Sequence, residues 1–220
     1  MMERVSGYLV TLLTGLPTTL AVTAGGIALC IVASFTAGLA LVSPSAAVRG
    51  VSRVYVEIWR GTSEVGQLFW IFFALPVLIG LQWVPLWAAV LVLGLNHGAY
   101  GAEIVRGAVQ SVPMQQHEGA VALSMSWTQR TIRVILPQAL AEMVPPLNNL
   151  FIQLLKASSL VSLVFLSDMT FQATEVLLPT DTSHAFSILL ALLVAYLGLS
   201  LLITAVMTVV ERWATRLADR

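Results

Sequence analysis

Asn149, Gln153, Lys156 and Ser159 recur at spacings of four, three and three inside an otherwise apolar stretch. On a helix that spacing puts all four on one stripe. Asn96, Tyr100 and Glu103 repeat the arrangement in another apolar stretch. Two such stripes, facing each other, could line a hydrated path for a polar solute. The amides could equally hydrogen-bond helix to helix and only hold a bundle together, at about 0.6–2 kcal/mol per contact. Lys156 is more demanding. An ammonium at the centre of a bilayer costs roughly 2.5–3.5 kcal/mol on insertion scales, so it requires a carboxylate, carbonyl or water partner. Glu103 and Glu64 are the acidic candidates, and a place in a path or gate is the favoured role.

Other chemistry finds little support. His97, His117 and His184 share no ligand spacing, and the single Cys30 excludes an internal disulfide or a cysteine-built metal site. Gly198-Leu199-Ser200 lacks the following glycine and the placed histidine that a serine nucleophile needs. A phosphate loop needs Gly-x4-Gly-Lys-Ser/Thr. The only lysine is Lys156, and it follows a leucine. The chain therefore reads as no enzyme, with neither metal nor cofactor of its own.

The elements that carry these residues follow from composition. Of 220 residues 58% are hydrophobic and 10% charged, against about 25% charged in soluble domains. A bilayer must be the solvent. The net charge of zero leaves no basic footprint for nucleic acid. Charged residues mark the edges of the spans, each needing roughly 20 apolar residues. Residues 18–42 form one span, preceded by a short apolar stretch broken at Gly15-Leu16-Pro17. A cleaved signal peptide is the competing reading of that end, although its apolar core would be only about 7–15 residues. The uncharged run between Glu64 and Glu103 holds two spans, about 65–82 and 85–105, turning at Gln82-Trp83-Val84-Pro85. Trp83 and Trp87 suit an interfacial belt there. The fourth and fifth spans are 143–167 and 185–210. The expectation is a single all-α membrane domain, residues 1–220, of about five helices.

Arginine sets the orientation. One set of loops carries Arg49, Arg53, Arg60, Arg106, Arg130, Arg133, Arg212, Arg216 and Arg220, and the opposite set carries Arg4 alone. Cytoplasmic loops collect basic residues. The N-terminus is expected outside and the C-terminus in the cytoplasm.

The long loop 106–142 does not read as disordered. Pro113 can open a helix, and Glu118 to Leu123 has apolar residues suited to one helical face. Ser126-Trp127-Thr128-Gln129 has the form of a capping box, starting a second short helix that Pro137 closes or kinks. From pattern alone this could be a solvated hairpin, an interfacial element or a docking element for a cytoplasmic partner.

Glu118-Gly119-Ala120, then Ser124, then Val134-Ile135-Leu136-Pro137 resembles the signature loop of binding-protein-dependent ABC importer permeases. That pattern is Glu-Ala-Ala, a glycine four residues later, and Ile-x-Leu-Pro ten residues beyond. Gly119, Ser124 and Val134 depart from it, and Ser124 argues against a left-handed backbone at the turn. Ala99 to Glu103 with Arg106-Gly107, Pro137-Gln138-Ala139 and Lys156 to Leu160 resemble the polar amino-acid uptake branch. Residues 60–76 and 160–173 are similar to permeases for ectoine and hydroxyectoine. The resemblance implies a type I ABC permease fold in a cell inner membrane. It implies a coupling helix seated in an ATPase groove, with Glu118 as charged anchor and Ala120 as the small residue allowing close approach. The implied partners are two copies of an ATPase that holds ATP and magnesium, a second permease subunit (identical or paralogous) and an extracytoplasmic solute-binding protein. The implied solute is ectoine or a polar amino acid. A stand-alone channel or secondary carrier is the alternative.

Overall fold

The computed structural model describes residues 2–80 and 84–218, and every regular element among them is helical. The chain runs α1 (Met2–Thr14), α2 (Leu16–Leu41), α3 (Ala46–Gly61), α4 (Glu64–Ile79), α5 (Pro85–Ser111), α6 (Met114–Ala122), α7 (Trp127–Val164), α8 (residues 169–180) and α9 (Ala185–Ala218). The expected turn at Gln82-Trp83 lies outside the described residues.

Helices α2, α5, α7 and α9 are each long and apolar enough to cross a bilayer. A fifth crossing is made only if α3 and α4 count as one broken span, since they are bent by 101° at Thr62-Ser63. The break has a local cause. Thr62 and Ser63 are extended, and Ser63 caps α4 by accepting the Gly66 amide. At about 1.5 Å per residue α4 is only about 24 Å long, short of a hydrocarbon core of about 30 Å. The span expected at 65–82 is present as the helix α4, too short to cross by itself and joined to α3 through an elbow.

Prolines explain a second difference. Pro137 does not close a short helix. The helix that begins at Trp127 continues through it to Val164, so residues 127–142 are continuous helix with the fourth span rather than a separate short helix. Directly before it lies one wide π turn, in which the Leu136 amide donates to Thr131 O, five residues back. The same device precedes Pro76, with Leu75 bonding Trp70 O, and Pro179, with Leu178 bonding Ala173 O. A proline has no amide to donate, and its ring clashes with the carbonyl four residues back. A single π turn removes that carbonyl from the ring's path without ending the helix.

Packing centres on α5, the most enclosed of the long helices. Gly94, Gly98 and Gly101 form a seam on α5 that faces α2. A Cβ at Gly98 would lie 2.6 Å from the Ala33 Cβ, and one at Gly101 would meet the Ser34 hydroxyl. With lipid as the alternative neighbour, close backbone approach between small residues is what holds membrane helices together. Below the seam, Val22, Leu93, Val105, Met143 and Leu154 fill the core. By contrast few residues of α9 are fully buried by this chain; one side packs on α7, and the other displays Leu189, Leu193, Leu197 and Leu201, a surface suited to lipid.

Gly98→Val should destabilise the fold by about 1–3 kcal/mol, the usual cost of overpacking. Gly107, also on α5, has open space where its Cβ would be. The apparent melting temperature of the purified protein should fall for Gly98→Val and hold for Gly107→Ala.

Candidate functional site

Two regions compete for the chemistry: the α6 corner and the polar residues of α5 and α7. At the corner, Pro113 in an extended conformation precedes α6. The helix ends in a paired backbone motif, the Met125 amide bonding Ala120 O at 3.1 Å and the Ser124 amide bonding Val121 O at 2.8 Å. That is the Schellman arrangement, which requires a left-handed residue just past the helix end. Ser124 fills it at φ +57°. The expectation that serine would avoid this conformation is therefore incorrect: the two backbone bonds oblige it. One residue later the capping box expected from sequence is formed, Gln129 N–H to Ser126 Oγ at 3.3 Å and Ser126 N–H to Gln129 Oε1 at 3.0 Å. α6 and the start of α7 are thus a stiff corner.

The corner shows two faces. Ala120, only 4% exposed, turns toward the bundle, so its small size serves packing within this chain. The outward surface offers Glu118, Gly119, Val121 and Leu123, the last 78% exposed.

The residues of the α5 stripe do separate jobs. Asn96 is buried, and its amide donates to Trp59 O and to Gln67 Oε1, both at 2.9 Å. Gln67 in turn donates to Trp59 O and Thr62 Oγ1. These bonds lock the α3–α4 elbow to α5. Gln67 was not singled out from sequence; its distance of three from Glu64 on an apolar helix was the available signal. Tyr100 lies beneath the Arg60 guanidinium, 4.9 Å from its ring centre. Glu103 pairs with Arg106 at 2.6 Å and with Arg60 at 3.9 Å. Arg53, Glu57, Arg60, Tyr100 and Glu103 together border an open cavity of about 360 Å³.

Lys156 does not meet its expected partners. Glu103 is held by arginines, and Glu64 stands 3.3 Å from His97. Among the described residues Lys156 has no ion pair, and it projects with Asn149 and Gln153 from the uncovered side of α7. Ser159 spends its hydroxyl on the Lys156 carbonyl. His117 and His184 lie apart from His97, on α6 and beside Asp181.

This architecture carries a sequence pattern found elsewhere. Residues 30–216 match the model of the family described as the binding-protein-dependent transport system inner membrane component. The chain belongs to that family. It is a multi-pass inner-membrane permease subunit of the ABC importer class, and the ATPase of such importers is a partner protein. One similar relative, from Sinorhizobium fredii, is described as a probable amino-acid ABC transporter permease; it is 45% identical over 190 residues, covering 84% of this chain and 79% of the relative. A glutamine transport system permease of Escherichia coli is 35% identical over 202 residues, 91% of each chain. An L-cystine transport system permease of Bacillus subtilis is 31% identical over 229 residues, 100% of this chain and 90% of the relative. In three dimensions a subunit of an amino acid ABC transporter crystallised with histidines superposes with TM-score 0.84 at 28% identity, covering 96% of this chain and 98% of that one. The inward-facing methionine transporter MetNI superposes at 0.76 and 21% identity, covering 93% and 96%. The permease fold is thus the type I ABC fold.

Three expected outcomes follow from the geometry. Ser124→Gly should stabilise the protein, because a left-handed L-residue costs roughly 1–2 kcal/mol and glycine avoids it; a raised melting temperature checks this. Asn96→Ala removes the donor of the half-buried Gln67 Oε1 and one of two donors to Trp59 O, and should cost about 1–3 kcal/mol. Asn149→Ala, at an exposed site, should leave the melting temperature nearly unchanged.

Proposed function

We propose that this permease imports a small zwitterionic solute of the polar amino-acid class, driven by a separate ATPase that docks on α6. The carrying observation is the outward presentation of Glu118 and Leu123 on a corner held at both ends by backbone motifs. A stiff element transmits a push; a mobile loop would absorb it. Glu118 is the charged contact and Pro137 lies in the α7 segment on which the corner rests. The absence of a phosphate loop from the sequence is consistent with a partner that hydrolyses ATP.

The arginine asymmetry supports an N-terminus outside, a cytoplasmic C-terminus and α6 on the cytoplasmic side. A second permease subunit is part of this reading. Asn149, Gln153 and Lys156 project from this single chain, and lipid is a poor neighbour for them. A path between two such subunits would hydrate them, with Ser159 at its end. Asn96 belongs to the elbow instead, whereas Tyr100 and Glu103 border a cavity that a solute can approach. Between the two solutes the sequence suggests, a polar amino acid is preferred to ectoine, because the relatives above are described as permeases for amino acids, glutamine and cystine. The external binding protein then selects the solute before it reaches the permease.

Glu118→Lys should insert normally yet abolish uptake in proteoliposomes containing the ATPase and the binding protein. Uptake at the wild-type rate would remove Glu118 from coupling. Transport by the purified permease without any ATPase would favour the stand-alone carrier.

A further inference from the structure

An open cleft of about 630 Å³ lies between the inner face of α6, the α2–α3 corner, the end of α5 and the start of α7. Among the described residues Arg49, His117 and Arg130 line it, and no carboxylate does. Arg49 is held in place by one end of its guanidinium, with Nη1 donating to Ser43 O at 2.7 Å and Pro44 O at 2.9 Å, so the remaining N–H groups are free to serve a ligand. The Arg130 and His117 side chains have no ion pair or hydrogen bond among the described residues. A concave site with two guanidiniums and no acid is built for an anion, and guanidinium forks suit phosphate oxygens in particular.

The position identifies the source of the phosphate. α2 ends at Leu41 and α5 at Ser111, and Leu41 and Val109, from those two helix ends, border the cleft. It therefore sits where two spans leave the hydrocarbon, at headgroup depth. Trp127 on its wall is a residue type favoured at that interface. Leu41, Val109 and Ile135 line it beside the basic groups, which fits a headgroup followed by the first part of an acyl chain better than a free ion.

We propose that this cleft binds the phosphate of an anionic phospholipid, which then braces the inner face of α6 against the bundle. Basic pockets between membrane helices on the cytoplasmic side are suited to such headgroups. The cytoplasmic placement rests on the orientation argued above; the binding chemistry does not. The lipid would act on the coupling corner from the side opposite to Glu118.

The test uses the assembled transporter in nanodiscs of phosphatidylglycerol or of phosphatidylcholine. A ligand that binds only the folded state raises its stability by mass action, so phosphatidylglycerol should raise the melting temperature of the wild type. Arg130→Gln should abolish at least half of that rise. Gln110→Glu places a carboxylate in the same cleft on a side chain already exposed, and it should do the same even if Arg130→Gln folds poorly. Arg216→Gln, at the far end of α9, should retain the full rise. Native mass spectrometry should show fewer retained phosphatidylglycerol molecules in the two cleft variants. An equal rise in wild type and both cleft variants would overturn the proposal. So would a full rise from inorganic phosphate in phosphatidylcholine discs, which would assign the cleft to a free anion. None of these readouts depends on transport, so failure here is separable from failure of the importer reading.

Discussion

The structure turns on a conflict between solvent and side chain: an ammonium and two amides project from a helix that otherwise belongs in hydrocarbon. At a few kcal/mol per charge, Lys156 with Asn149 and Gln153 cannot be left facing acyl chains while leucines on α9 are available for that surface. The polar face of α7 must be wetted or covered. A lone chain with four or five crossings has little means of enclosing water. A pair of such chains does, which is the physical ground for the second permease subunit proposed above.

α7 is held directly by α5 and α9, and indirectly by what anchors α5. α5 is gripped by α2 along a glycine seam and packs against α7, while Asn96 fastens it to the α3–α4 elbow. Three Leu-Pro pairs sit in long helical segments, each admitted by one wide turn. Such turns keep the helix continuous with one backbone bond fewer and leave a place where its axis can bend. The turn before Pro137 lies directly between the α6 corner and the membrane part of α7. In the proposed coupling, a push on the corner would reach the helix that bears Lys156 through this turn.

Much of this was legible because charge and apolarity vary on the length scale of a span. The positions of α2, α5 and α9 follow from uncharged runs, and the capping box at Ser126 was readable because both partners lie within four residues. The rest depended on contacts distant in sequence or on a choice between local rules. Proline signalled an end or a kink at Pro137, and continuous packing of α7 against α5 and α9 goes with a π turn rather than a stop. Serine disfavours the left-handed region, yet two backbone bonds at the end of α6 outweigh that preference. A 3.6-residue period grouped Asn96, Tyr100 and Glu103 correctly on one side of α5. It carried no information that Trp59 and Gln67 would claim the first, and Arg60 the other two. For Lys156 the sequence offers Glu103 and Glu64 as candidates without deciding between them, and arginines and His97 engage both.

The account is tested most directly by the solvent that Gln153 meets. The only native cysteine, Cys30, is buried, so Gln153→Cys can be read in a Cys30→Ala background. In membranes holding the assembled transporter, a water-soluble maleimide should label this cysteine, and the rate should change when ATP is added. A cysteine that resists the aqueous reagent in every nucleotide state, yet reacts with a maleimide carried in the bilayer, would contradict the account.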